Sequence, residues 1–246
     1  MIHLGYVREI ARYPIKSMAG ITTELAMLGW HGLDGDRRFA FRRMGEDNGF
    51  PWLTASKLPE MVLYQPVGLD ESSGEPLSTH VRTPSGSLFE LGSAELNTEI
   101  GERFGSDVEL MNLKHGVFDE AAISVISLST IAAIGREAGR DLDRRRFRAN
   151  IVIETESSEP FLEDEWIGGA LVFGDNDRQP AVHITMPDVR CVLVNLDPET
   201  AEKDARVMKS VVRLNQNNAG VYATVVRTGT IRRGDRVTLV PERVVR

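Results

Sequence analysis

The chain has one thiol. Cys191 lies in MPDVRCVLVNLDPET, residues 186–200, directly after Arg190 and ahead of an apolar run. A free cysteine most often serves as a small buried hydrophobe. An adjacent arginine favours its thiolate, the form that attacks electrophiles and binds soft metals. Two chemistries therefore stay open: ligand to a thiophilic metal, or nucleophile paired with a histidine. The nearest histidine in sequence is His183, in AVHITM. An imidazole on such a strand is ordinarily a satisfied core or surface group. A single cysteine excludes an internal disulfide, a CxxC zinc site and a four-cysteine iron–sulfur cluster.

Positive charge gathers at three further places. RYPIKSMAG offers Lys16 and Ser17 at a strand end, where Pro14 keeps Tyr13 extended. GLDGDRRFAF sets Asp36 and Arg37 before an alternating strand. RDLDRRRFRANIVI carries Arg140, Arg144, Arg145, Arg146 and Arg148 within nine residues, with Asn150 close behind. Taken singly, these read as a solvated lysine, a turn with an ion pair and an exposed charged face. Yet Arg148 stands at the mouth of a β-branched strand, and the planar donor fork of arginine suits phosphate. The formal net charge is −7. That argues against broad nucleic-acid binding, and arginines concentrated in an acidic chain are better explained by a small anionic ligand than by DNA. The sequence has no HExxH, Gly-rich phosphate loop or GxSxG elbow.

The elements that must position these groups are mostly strands. In residues 1–92, IHLGYVREIARYPI, TELAMLGW, RRFAFRR, MVLYQPVG and THVRTP read as strands between Gly, Pro and Asn-Gly turns. That spacing suggests a small barrel or sandwich. SAELNTEIGERFG predicts a helix capped by Ser93 and stopped by Gly105. VELMNL is a strand, and residues 114–120 are a crossover. AAISVIS, ANIVIET, ALVFG and CVLVNL predict strands, and LSTIAAIGREAG a helix ending at Gly139. DPETAEKDARVMKSVVRL predicts a helix capped by Asp197, with Pro198 at its first position and a stripe of Ala201, Ala205, Met208 and Val212. GVYATVVRTGTIRRGDRVTLV closes the chain with two or three strands. The N-terminus lacks a signal-peptide apolar core, and no run reaches the length of a membrane span. With 41% hydrophobic and 26% charged residues, the expectation is a soluble, cytoplasmic, globular chain.

Six stretches occur in order along nearly the whole chain: YPIKSM, GLDGDRRFA, FPWLTA, RFRANIVI, EPFLEDEWIG and RCVLVNLDPET. Together they resemble the MOSC superfamily, named after the C-termini of molybdenum-cofactor sulfurases. The N-terminal part resembles the MOSC N-terminal β-barrel domain. The layout is similar to that of the mitochondrial amidoxime-reducing components and the bacterial YcbX-type reductases.

The resemblance implies a mainly β, α+β chain of two lobes: an N-terminal β-barrel domain over 1–112 and a MOSC β-barrel domain over 113–246. It implies a molybdenum–molybdopterin cofactor between them, with Cys191 as the metal ligand and catalytic residue. Lys16, Ser17, Arg37, Ser127, Arg148, Asn150 and Arg190 match the cofactor-contacting positions, and Arg38 is the fallback for Arg37 because DRR allows a one-residue slip. The implied activity is reduction of N-oxygenated or N-hydroxylated small molecules with electrons from a separate ferredoxin, flavoprotein or cytochrome. No nucleic acid or membrane partner is implied. Two alternatives remain: a sulfur carrier with a persulfide on Cys191, and a non-catalytic carrier of the cofactor. Of the parts some relatives have, a ferredoxin-like [2Fe–2S] module, a membrane-anchoring extension and a pyridoxal-phosphate sulfurase domain are not expected within these 246 residues.

Overall fold

β-Branched runs bounded by turn residues form the framework. The computed structural model describes residues 1–45, 49–70, 72, 74–176 and 178–241. The first half contributes β1 (Ile2–Arg12), β2 (Ile21–Thr23), β3 (Leu25–Gly29), β4 (Gly32–Leu33), β5 (Phe39–Arg43), β6 (Gln65–Val67), β7 (His80–Arg82), β8 (Leu88–Glu90), α1 (Ala94–Phe104) and β9 (Val108–Asn112). The second contributes β10 (Ile123–Ser127), α2 (Leu128–Ala138), β11 (Ile151–Thr155), β12 (Ala170–Phe173), β13 (Ala181–Val189), α3 (Ala205–Asn215), β14 (Asn218–Arg227), β15 (Gly229–Arg232) and β16 (Arg236–Val240). Short 3-10 turns occupy Pro59–Leu63, Arg144–Phe147, Leu162–Trp166 and Val192–Asn195.

Seven strands close a barrel in the order β11-β10-β14-β13-β12-β16-β1, with β1 pairing back to β11 and β2 appended beside β1. The β10–β11 pair is parallel, with Val125 opposite Ile151; the other barrel pairs are antiparallel. Val7, Ile10, Val125, Ile153, Ile184 and Val221 belong to one buried cluster, which Trp166 joins from its turn. Burying each such side chain contributes about 1.5–3 kcal/mol. Gly5 is required where β1 crosses β11: a Cβ there would lie 2.0 Å from the Glu154 carbonyl oxygen. α2 and α3 lie outside, packing Ile131, Ile134, Val207 and Val211 against Ile126 and Val152.

The remaining strands form three small sheets, β15-β3-β4, β5-β9 and β6-β7-β8. β15-β3-β4 packs Ala26, Leu28, Leu33 and Ile231 into the barrel cluster, while the core beside β5-β9 and β6-β7-β8 includes Ile15, Met18, Phe41, Met61, Tyr64 and Ile100. The two units are interlaced. β1 lies in the N-terminal region by sequence and in the barrel by pairing, while β15 of the second half pairs with β3. Leu196 also sits in the N-terminal core, with Leu193 and Ala201 packed against it. The segment after Cys191 is thus anchored in the opposite unit.

α1 is capped by Ser93 and stopped by a left-handed Gly105 as expected, and α2 ends as expected at a left-handed Gly139; the Ser127 side chain caps the start of α2. Three expectations change. CVLVNL is not a strand: β13 ends at Val189 and Val192–Asn195 is a 3-10 turn. The Asp197 carboxylate accepts from the Glu199 and Thr200 N–H groups, and Ala201 has a φ of 59°, so the predicted helix cannot start there. It starts at Ala205 under Asp204 and buries Val207, Ser210 and Val211, leaving Val212 on the solvent side. Within MVLYQPVG, residues 61–63 are in a 3-10 turn and only Gln65–Val67 is strand.

Candidate functional site

The YPIKS and GDRRF stretches run side by side where β1 leaves the barrel. Lys16 N–H donates to the Phe39 carbonyl (2.8 Å), Phe39 N–H to Pro14 (3.0 Å) and Arg37 N–H to Tyr13 (2.8 Å). Asp36 is the hub and is fully buried. Its Oδ1 accepts from Tyr13 N–H (2.6 Å), and its Oδ2 from Arg37 Nη1 (2.5 Å) and Asn150 Nδ2 (3.1 Å). Asn150 also donates to Ala11 O, and its Oδ1 accepts from Arg37 Nη1 (3.2 Å) and Ser124 N–H (3.1 Å). An amide has two donors and two acceptor lone pairs, so Asn150 is saturated within the protein. Its place is to orient Arg37 and tie β1 to β10.

Tyr13 is almost fully buried, with the Arg148 guanidinium 4.3 Å and the Arg37 guanidinium 5.3 Å from its ring centre. Such contacts hold a cation against an aromatic face. Burial pushes the Tyr13 phenol up to about 12 and Arg148 down to about 10, so at neutral pH the phenol is neutral and the guanidinium charged. Burial alone would lower the Arg37 pKa; the Asp36 carboxylate outweighs it and holds the pKa up. Arg148 Nη1 donates to the Met18 carbonyl (2.6 Å), bridging the two units. Lys16 is buried, with its Nζ 2.6 Å from Asp119 Oδ1 and 5.8 Å from the Phe50 ring centre. Ser17, Arg37 and Arg148 all have positive φ, of 68°, 50° and 50°. Such non-glycine conformations cost roughly 1–3 kcal/mol each and concentrate at functional sites.

Cys191 is exposed and precedes the 3-10 turn at Val192–Asn195. The buried-hydrophobe reading of this thiol is thereby set aside. Arg190 is committed elsewhere: Nε donates to Ala219 O (2.7 Å) and Nη1 to Phe147 O (2.6 Å), while Nη2 forms an ion pair with Asp188 (2.9 Å). It braces the end of β13. Asp188 accepts from Ser124 Oγ (2.6 Å), and burial raises its pKa. His183 pairs with Ala170 and Thr224 inside the barrel sheet. The six strand steps from 183 to 189 span about 20 Å, which removes the cysteine–histidine pair.

The structure brings Lys16, Ser17, Arg37, Arg148 and Asn150 to one seam. It does not bring Ser127 there. Ser127 is fully buried at the start of α2, its hydroxyl capping Thr130 N–H and its own N–H donating to Glu163 Oε1 (2.6 Å). Arg38 is occupied by Glu75 and the Asp36 carbonyl. Sequence reasoning did not single out the structural parts of Tyr13, Asp119 or Asp188. An Asp adjoining Arg37 was visible; the approach of two guanidiniums to the Tyr13 ring was not.

Beside Arg148 opens a shallow cleft between the units, with an enclosed volume of about 50 Å³. Tyr13, Gly20 and Val62 line one side, and Arg145, Arg146, Leu193 and Leu196 the other. Arg146 is buried and tied to Asn195 O (3.0 Å) and Asp197 (2.6 Å). Among the described residues no three histidine, cysteine, aspartate or glutamate side chains converge as a metal cage, and no helix is long and apolar enough to cross a membrane.

Residues 112–238 match the MOSC domain family, and residues 4–102 match the MOSC N-terminal beta barrel domain. No curated protein matches the sequence. Among solved structures, the YuaD protein from Bacillus subtilis superposes with a TM-score of 0.52 at 13% identity, over 96% of this chain and 95% of that one. YiiM from Geobacillus stearothermophilus gives 0.38 at 18% identity, over 50% of this chain and 56% of that one. YiiM from Escherichia coli gives 0.34 at 14% identity, over 48% and 54%.

Proposed function

The chain belongs to the MOSC domain family, and from that premise we propose that it is a molybdenum-cofactor-binding oxidoreductase that reduces N-oxygenated or N-hydroxylated small molecules. Electrons come from a separate carrier protein. The observation that carries the proposal is an exposed thiol on a segment anchored across the same seam that holds three cations. Leu193 and Leu196, just after Cys191, line one cleft with Arg148 and Tyr13.

The residues present suit such a cofactor. The protein supplies one accessible thiol and no cage among the described residues, which fits a metal that arrives with its own ligands. Soft thiolate is the protein ligand such a metal favours. Lys16, Arg37 and Arg148 supply the positive charge that favours a phosphate. When bound, the molybdenum centre would supply two-electron oxygen-atom chemistry; the protein binds and orients it. In this chain Cys191 would ligate the metal, and Asp36 and Asn150 hold Arg37 in place. Arg190 fixes the end of the strand that presents the thiol.

The test is to make wild type and Cys191→Ser in a host that synthesises the cofactor, then measure molybdenum content and reduction of an amidoxime by reduced viologen. Wild type should hold molybdenum and turn over. Cys191→Ser should lose turnover by at least a hundredfold and alter the molybdenum spectrum. An exposed substitution of this kind changes stability by less than about 0.5 kcal/mol. Equal spectra and rates in both proteins overturn the ligand assignment. No turnover across N-oxides and hydroxylamines, with a transferable extra sulfur on Cys191, favours the sulfur-carrier reading.

A further inference from the structure

The cation cluster already contains an anion. Asp119 Oδ1 lies 2.6 Å from Lys16 Nζ, although the Asp119 side chain is 63% exposed and that of Lys16 only 8%. Asp119 belongs to the connector between the units. The connector is pinned to the first unit by Leu113 N–H to Arg38 O (2.7 Å) and Val117 N–H to Arg37 O (2.9 Å). Beyond Val117, among the described residues, it makes no backbone hydrogen bond until β10 begins. The Asp119 carboxylate also feels the charges of Arg37 and Arg148, which with Lys16 hold its pKa low.

Charge in the cluster is therefore unequal. Lys16, Arg37 and Arg148 stand against the buried Asp36 and the exposed Asp119. With Asp119 in place, one positive charge is in excess; with Asp119 turned into solvent, two are. A monoanion gains nothing by taking the place of a carboxylate already there. A dianionic phosphate monoester does gain, because it balances what Asp119 leaves.

We propose that Asp119 is a specificity-determining residue: its carboxylate fills the anion position beside Lys16, and a ligand phosphate carrying two negative charges displaces it. This rests on the reading of the seam as a cofactor site. It concerns phosphate alone, so its test can fail separately from any test of bound molybdenum.

The experiment uses the full chain, made in a host lacking the cofactor, titrated calorimetrically at pH 8 with methyl phosphate and, separately, dimethyl phosphate. Free inorganic phosphate is a third arm, which distinguishes a need for the ester from capture of any phosphate dianion. Wild type should prefer the monoester over the diester by tenfold or more. Asp119→Asn should bind the diester about tenfold tighter than wild type does and lose most of that preference, while Asp119→Glu keeps it. Thermal unfolding of each variant reports folding directly. An unchanged preference in Asp119→Asn overturns the proposal. So does weaker binding of both probes, which would make Asp119 only a support for Lys16, or no binding of any phosphate to any variant.

Discussion

Glu163 and Asp36 are both completely enclosed carboxylates, and they are satisfied in opposite ways. Glu163 accepts from Ser127 N–H (2.6 Å) and Thr130 Oγ1 (2.8 Å), at the start of α2. Burial raises its pKa, and neutral donors only partly offset that. Asp36 is paired with Arg37 and held by Asn150 and Tyr13 N–H, on a seam where cations outnumber carboxylates. The first network closes on itself and serves the helix. The second leaves charge over, and surplus charge at a cleft is what a ligand can use. The matched serine of the α2 start is thus structural in its contacts, while Arg148 makes no ion pair among the described residues.

The largest stability effect should fall on the seam. Asp36→Ala leaves Arg37 without its carboxylate and orphans the Tyr13 N–H and one Asn150 donor. Removing one partner of a buried pair costs about 3–5 kcal/mol. For a chain of this size that is a fall in Tm of roughly 10 °C. Asp36→Asn, which keeps the shape, should lie between Asp36→Ala and wild type in urea unfolding. A loss under about 1 kcal/mol for Asp36→Ala would erase the contrast between the two carboxylates.

The second effect is smaller and has a pH signature. Because the folded pKa of Glu163 is raised, above an unfolded value of about 4.3, the protonated form favours folding. That contribution is fully present below about pH 4.3 and is lost as pH rises through the folded pKa. Glu163→Gln cannot ionise. Any deficit it has against wild type at pH 4 should therefore shrink by pH 8 in paired denaturant titrations. A deficit constant across that range would show that Glu163 does not change charge on a raised pKa, and the two networks would then be alike.

Much of this was legible, and the gaps have physical causes. The strands at β10 and β11, the caps Ser93, Gly105 and Gly139, and the ion pair at Asp36–Arg37 follow from patterns of a few residues. A short apolar run such as CVLVNL does not distinguish strand from turn. Its two leucines were claimed by a core formed mostly by the first half of the chain. Ser127 is marked only by the family resemblance, while its contacts are those of the N-cap of α2, a role a serine ahead of a helical pattern commonly takes. The roles of Tyr13 and Asp119 depend on partners 24 to 135 residues away in the chain, which no local pattern encodes.

The smallest effect compares two neighbours on one turn. Arg145 and Arg148 both line the cleft, and sequence alone marks Arg145 as an exposed residue that tolerates alanine. Its Nη2 lies 2.6 Å from both Asp143 and Glu199, and its side chain is 46% exposed. Two carboxylates already balance its charge, so it adds little positive potential to the cleft. Surface pairs of this kind contribute about 0–1 kcal/mol, and Arg145→Ala should lower stability by no more than that. Pterin content of protein from a cofactor-making host should match wild type. Arg148→Ala should fall well below it, because that guanidinium is charged, half-buried and without a carboxylate partner among the described residues. Equal pterin loss in the two variants would mean that proximity to the cleft, rather than surplus charge, decides which arginine meets the ligand.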